Sequence, residues 1–179
     1  MSSARHTITP SLIKPLTAAT DLLPEEVAIE LTPLCNFDCP FCFNRNSFAA
    51  QHRNIGQLST QQIYRAIDQI ATLAPAVKLT GGEPLLRKDI VDIARYAHAK
   101  GLDVRLNTNG TLLTKAQELT PFVHDVLISL KGYDEASTYK IAGIHGMFDK
   151  TISAFRHARK HFPSVRAATV ATPQNIKDL

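Results

Sequence analysis

Nowhere in the 179 residues is there a run of about eighteen apolar residues, so nothing reads as a membrane-spanning helix. Residues 1–23 lack the basic start and apolar centre of a secretory signal. Basic residues are in modest excess, 20 Lys and Arg against 16 Asp and Glu, giving a net charge of +4. They are scattered rather than clustered, and aromatics do not interleave them, which argues against a nucleic-acid surface. Cysteine is scarce, three in all, and an odd number confined to one segment cannot build a disulfide framework. The expectation is a cytoplasmic protein with neither membrane nor nucleic-acid partners. An apolar share of 44% with 20% charged residues is ordinary for a globular chain and suffices for one domain with a buried core.

What is present is concentrated in one stretch, Cys35-Asn36-Phe37-Asp38-Cys39-Pro40-Phe41-Cys42, which holds every cysteine in the spacing C-x-x-x-C-x-x-C. Three thiolates are one short of the four that closed zinc sites and most iron-sulfur clusters take. The arrangement therefore implies an iron-sulfur cluster with one iron left open. The alternative is a structural zinc site completed by a histidine such as His52. The other histidines show no metal-ligand spacing and receive no function.

Along the chain, residues 1–24 read as an N-terminal leader and residues 25–179 as one domain. Residues 27–31 form a short apolar run leading straight into the cysteine loop, as a first buried strand would. Ser59 and Gln62 match a capping box ahead of Ile63, Ala66, Ile67, Ile70 and Ala71 at helical spacing. Residues 77–80 give a second strand, broken by Gly81 and Gly82. Asp89 is placed to cap a helix carrying Ile90, Ile93, Ala94 and Ala97 to a stop at Gly101. Residues 103–108 give a third strand, and residues 114–120 a helix with a Thr114/Gln117 box. Residues 126–130 give a fourth strand, followed by a short helical piece over 134–141. Phe148, Ile152, Phe155 and Phe162 then recur at helical spacing as a core stripe, and residues 165–171 give a fifth strand. Asn175 is placed to cap a further helix.

Strands alternating with helices imply a parallel α/β sheet with right-handed crossovers, a partial TIM-type barrel of about five strands whose chemistry collects at the strands' C-terminal ends. The cysteine loop, residues 81–84, residues 107–110 and residues 129–132 each follow a strand and would share one rim. Five units fall short of the eight of a closed barrel. The expectation is a chain truncated on its C-terminal side, with the fifth strand an open edge or covered from outside. Taken alone, Gly81-Gly82 reads better as an ordinary strand-to-helix turn, while residues 107–110 read equally well as a turn and Ser129 as a buried hydroxyl.

The cysteine loop at the end of the first strand, with Gly81-Gly82-Glu83-Pro84 after the second, resembles the radical S-adenosylmethionine superfamily over residues 25–179. The resemblance implies that Cys35, Cys39 and Cys42 hold three irons of a 4Fe-4S cluster. It implies too that the fourth iron is chelated by the methionine end of S-adenosylmethionine, which is reductively cleaved to a 5′-deoxyadenosyl radical for hydrogen abstraction. By the same resemblance Gly81, Gly82, Glu83 and Pro84 would hold the methionine amino group, Phe41 would lie beside the adenine, and Thr108, Asn109 and Ser129 would contact ribose or carboxylate. An external reductant such as flavodoxin or ferredoxin would be a partner, and the substrate a small molecule or a peptide. Lys131 departs from the pattern, standing where many relatives with a Ser-x-Asp-Gly segment carry an acid. Residues 134–148 resemble the stretch after the fourth strand in peptide-modifying and molybdenum-cofactor-type members. With three cysteines, a second cysteine-ligated cluster is excluded. A different class of reading is a non-catalytic remnant that binds cluster or cofactor, or serves as an interaction module, without turnover.

Overall fold

The computed structural model describes residues 23–42, 57–173 and 175–176. Most of the expected leader, the histidine weighed as a zinc ligand and the residues beyond Ile176 lie outside them. Five strands, β1 (Val27–Glu30), β2 (Ala76–Thr80), β3 (Asp103–Thr108), β4 (Asp125–Ser129) and β5 (Ser164–Ala168), form one sheet in chain order. Every neighbouring pair is parallel. The register sets Ile29 beside Leu79, Leu79 beside Leu106 and Thr108 beside Ile128. This is the expected partial barrel. Among the described residues β1 and β5 are its edges, β5 having β4 as its one neighbour.

Alternation along each strand divides the sheet into two unlike faces. Val77, Leu79, Val104, Leu106, Val126 and Ile128 are buried beneath the helices. Lys78, Thr80, Arg105, Asn107, Leu127 and Ser129 point to the other face and are half-buried. Ion pairs cross that face: Glu26 meets Lys78 and Arg105, and Asp125 takes Arg166.

Helices supply the cover. α1 (Thr60–Ile70) begins with the expected capping box, in which the Ser59 N–H donates to Gln62 Oε1 at 2.8 Å while Ser59 Oγ accepts from the Gln62 N–H. It buries Ile63, Ile67 and Ile70. α2 (Ile90–Ala99) buries Ile90, Ile93, Ala94 and Ala97 as expected, and Gly101 closes it at φ +81°. Asp89 does not cap α2 through its side chain. Its carboxylate is drawn away by the Arg87 guanidinium, at 2.9 and 2.7 Å, and by the Thr60 hydroxyl at 2.6 Å.

Two further expectations are corrected. Residues 114–120 are not an α-helix but two 3-10 turns, Leu113–Lys115 and Gln117–Leu119. The tighter coil repeats every three residues, so Leu113, Ala116 and Leu119 fall on one side, with both leucines fully buried. The aromatic stripe is also displaced. After α3 (Glu135–Ala142), α4 (Phe148–His161) buries Thr151, Ala154 and Ala158, while Phe148, Ile152 and Phe155 are half-buried on its flank. Small residues win because the helix lies close on the sheet's rim: a Cβ at Gly110 would stand 3.0 Å from Ala154 Cβ. Phe162, past the helix end, does enter the core. Beyond β5 the chain turns at Thr172, and the helix expected from Asn175 onward lies almost entirely outside the described residues. The Thr172 carbonyl accepts from the Asn175 and Ile176 N–H groups, and Asn175 Oδ1 accepts from the Thr172 N–H at 2.7 Å.

Candidate active site

β1 delivers the chain to the rim at Leu31, and the cysteine loop is then held from three sides. From β2, the Gly82 N–H donates to the Thr32 carbonyl and the Glu83 N–H to the Leu34 carbonyl, both at 2.7 Å. This contact is why glycines stand there. A Cβ on Gly81, whose φ is +132°, would lie 2.5 Å from the Thr32 oxygen. One on Gly82 would lie 2.6 Å from the Leu34 carbonyl carbon and 2.8 Å from the Pro33 oxygen. The close approach the two glycines permit is to the stem of the cysteine loop.

From β3, the Asn109 amide donates to Asn36 Oδ1 at 2.7 Å, and Asn36 in turn donates to the Thr111 hydroxyl at 2.9 Å. Asn109 Oδ1 accepts from the Thr111 N–H and hydroxyl, closing the knot. From α3, the Ala142 carbonyl accepts the Asp38 N–H at 2.9 Å, and Gly143, at φ +74°, packs where a Cβ would be 3.0 Å from the Asp38 oxygen. Within the loop the Cys42 N–H reaches the Cys39 carbonyl at 3.1 Å.

Glu83 ties these supports together. Its carboxylate is fully buried and accepts from the Thr108 hydroxyl at 2.7 Å, the Leu85 N–H at 3.0 Å and the Asn109 N–H at 2.7 Å. Burial pushes the carboxyl up, and the three donors oppose that by favouring its charged form. Thr108 is buried and also accepts from the Gly110 N–H, so its hydroxyl spans two loops. Pro84 is buried behind Glu83, opening a short 3-10 turn.

Arg87 is a brace that the sequence did not reveal. Buried, it donates to the Leu31 carbonyl at 2.9 Å and the Leu58 carbonyl at 3.1 Å while pairing with Asp89. It thereby fixes the end of β1 against the entry to α1. Asn36, Thr111, Ala142 and Gly143 were likewise unmarked. An Asn directly after the first cysteine was the available signal, but its partner lies 73 residues on.

The three cysteines are free. Cys39 is buried and Cys35 exposed. Burial pushes the Cys39 thiol up, the Lys131 ammonium opposes it, and the charges of Cys35 and Cys42 push it further. The Cys35 thiol is raised as well, by desolvation first and then, against the Phe37 N–H, by Glu83 and Cys42. The sulfurs thus lie within range of one another's charge. Among the described residues, no three His, Cys, Asp or Glu side chains close on one point as around a single ion. A cluster binds its thiolates at the corners of a larger body, and three free thiols on one short loop fit that donor set. Phe41 is half-buried, its ring facing the Lys131 ammonium at 5.6 Å from the centroid. Ser129, half-buried at the end of β4, completes the rim with Lys131.

Fold and site together define a parallel β/α half-barrel carrying a cysteine-rich cofactor loop on its C-terminal rim. The family model of the radical SAM superfamily matches residues 29–179, and the chain belongs to that superfamily. It is 32% identical over 160 residues to an AdoMet-dependent heme synthase of Methanosarcina barkeri, covering 87% of this chain and 45% of that protein. It is 32% identical over 161 residues to a PqqA peptide cyclase of Ruegeria pomeroyi, covering 87% and 42%. The chain therefore spans under half the length of these relatives. Among solved structures, Streptococcus suis SuiB superposes with a TM-score of 0.69 at 20% identity, over 87% of this chain and 36% of that one. Methylornithine synthase gives 0.59 at 20% identity, over 79% and 43%. Among the described residues no helix is long and apolar enough to cross a membrane.

Proposed function

We propose that Cys35, Cys39 and Cys42 bind three irons of a 4Fe-4S cluster and that the rim binds S-adenosylmethionine at the fourth, as a radical-generating enzyme acting on a peptide or small molecule. The observation that carries this is the support of the cysteine loop by β2, β3 and α3 at once, which holds three free thiols at the rim. When bound, the cluster supplies one electron that splits the sulfonium bond, and an external reductant of the flavodoxin or ferredoxin class replaces it.

The chain's own residues position and shield. Gly81 and Gly82 let the backbone after β2 close on the loop stem, and with Glu83 and Pro84 they form the wall for the methionine amino group. Glu83 holds the Asn109 and Leu85 N–H groups in place, so that the β2 and β3 loops move as one. Asn109, Thr108 and Ser129 form the ribose and carboxylate side, and Phe41 the adenine side. The heme synthase and peptide cyclase similarities favour a peptide or a tetrapyrrole-like substrate class. Three free thiols, with Cys35 exposed, suit a reducing, cytoplasmic setting and make the loaded protein sensitive to oxygen.

Anaerobic reconstitution with iron and sulfide tests the reading. The expected result is a brown protein with about four irons per chain, lost in each of Cys35→Ala, Cys39→Ala and Cys42→Ala. A wild-type protein that stays colourless, or a cysteine variant that loads fully, contradicts it.

A further inference from the structure

Lys131 stands just past β4, on the rim beside the cysteine loop, and its ammonium lies 5.6 Å from the centroid of the Phe41 ring, one residue before Cys42. The backbone around it is fixed. The Leu130 N–H donates to the Ala168 carbonyl at 2.8 Å, and a Cβ at Gly132 would stand 2.5 Å from Ser137 Oγ and 2.6 Å from the Thr138 nitrogen. The same α3 that abuts Gly132 holds Asp38 of the loop through Ala142. One rigid unit thus sets both the ammonium and the loop.

The ammonium is also unspent. Lys78, Arg87, Arg95, Lys100, Arg105 and Arg166 each pair with a carboxylate. Among the described residues Lys131 pairs with none, and its neighbour is the Phe41 ring of the cysteine loop. The Phe41 ring stands on one side of it, which weakens screening by water there.

We propose that Lys131 is a positioning charge for the cluster, held beside the Cys39–Cys42 side of the loop to make one-electron reduction easier. This rests on the cluster reading above. Reduction adds one negative charge to a body already carrying three thiolates, and a fixed positive charge stabilises the more negative state. The electron comes from the external reductant, which is oxidised by one electron; no bond to Lys131 forms or breaks. The chemistry asks for charge rather than for an amine, so arginine should serve.

The test is an EPR-monitored redox titration of iron-loaded wild type, Lys131→Met, Lys131→Arg and Lys131→Glu without S-adenosylmethionine, with iron counted in each. Methionine keeps the packing on Phe41 and removes the charge. The expected result is a reduced-to-oxidised ratio about tenfold lower at fixed potential for Lys131→Met, a midpoint about 59 mV more negative for one electron. Lys131→Glu should shift further the same way, and Lys131→Arg should stay near wild type. Equal midpoints for iron-loaded wild type and Lys131→Met overturn this inference alone. A wild type that takes up no iron overturns the cluster reading and this inference with it.

Discussion

Gly82→Ala is the sharpest structural perturbation of the loop, because it adds one methyl group where backbone already stands. Gly82 does not lie at positive φ, so alanine meets no conformational objection and the cost is steric. The new Cβ would overlap the Leu34 carbonyl, 2.6 Å from its carbon, and crowd the Pro33 oxygen at 2.8 Å. Both are backbone atoms with no rotamer to yield. Separating the loops stretches two hydrogen bonds, Gly82 N–H to Thr32 and Glu83 N–H to Leu34, each 2.7 Å. Overpacking costs about 1–3 kcal/mol and each bond about 1 kcal/mol net, giving about 3–5 kcal/mol in all. For a domain of this size that lowers Tm by about 6–20 °C. Gly101→Ala is the comparator: its φ is +81°, yet a Cβ there meets nothing within 4 Å. It should cost about 1–2 kcal/mol from backbone strain. Thermal unfolding followed by circular dichroism reads both. A Gly82→Ala protein melting within 2 °C or so of wild type, or above Gly101→Ala, would refute the view that backbone contact with β2 fixes the loop.

Other outcomes follow from the same contacts. Glu83→Ala strands the Asn109 and Leu85 N–H groups and the Thr108 hydroxyl, and should cost about 3–5 kcal/mol in urea unfolding, with the midpoint falling at unchanged m. Arg87→Met leaves the Leu31 and Leu58 carbonyls without their donor and Asp89 without its partner; a loss of about 2–4 kcal/mol is expected in the same assay. Asp89 is held below the ordinary carboxylate range, chiefly by the Arg87 hydrogen bond. Its contribution is therefore present above the unfolded-state value and lost as pH falls through the folded one. Stability measured from pH 7 into the acid range should fall less steeply in Asp89→Asn than in wild type; parallel curves contradict this.

Much of the fold was legible because it is written in short-range pattern. The Ser59 and Gln62 box, the apolar spacing of α1 and α2, and the runs that became β1 to β5 all report local preference and burial together. The strand order and the shared rim followed from the alternation itself. Where the reading slipped, tertiary contact overruled local signal. Asp89 has the right place for a cap but a better partner in Arg87. Residues 114–120 have helical composition, but the two leucines that must be buried are six apart, which suits two 3-10 turns. The aromatics of α4 dominate the sequence, yet close packing near Gly110 selects Thr151, Ala154 and Ala158 to face inward.

At the site, the cysteines stood out by residue type and spacing alone, and the Gly81-Gly82-Glu83-Pro84 turn through its place after the second strand beside them. Their supports did not. Asn36 meets Asn109 and Thr111, Arg87 meets Leu31 and Leu58, and Asp38 meets Ala142, all across tens of residues and in part through backbone carbonyls that any residue would offer. Lys131 was visible as a departure from pattern, and its place over Phe41 gives that departure a physical meaning.

The central claim is that this loop, loaded with iron and sulfide, uses its open iron to split S-adenosylmethionine. Its most direct test is the yield of 5′-deoxyadenosine when the anaerobically reconstituted protein is mixed with S-adenosylmethionine and a strong reductant. Wild type should form it steadily while Cys42→Ala forms none; iron-loaded wild type that binds S-adenosylmethionine and leaves it intact would contradict the claim and favour a binding module without turnover.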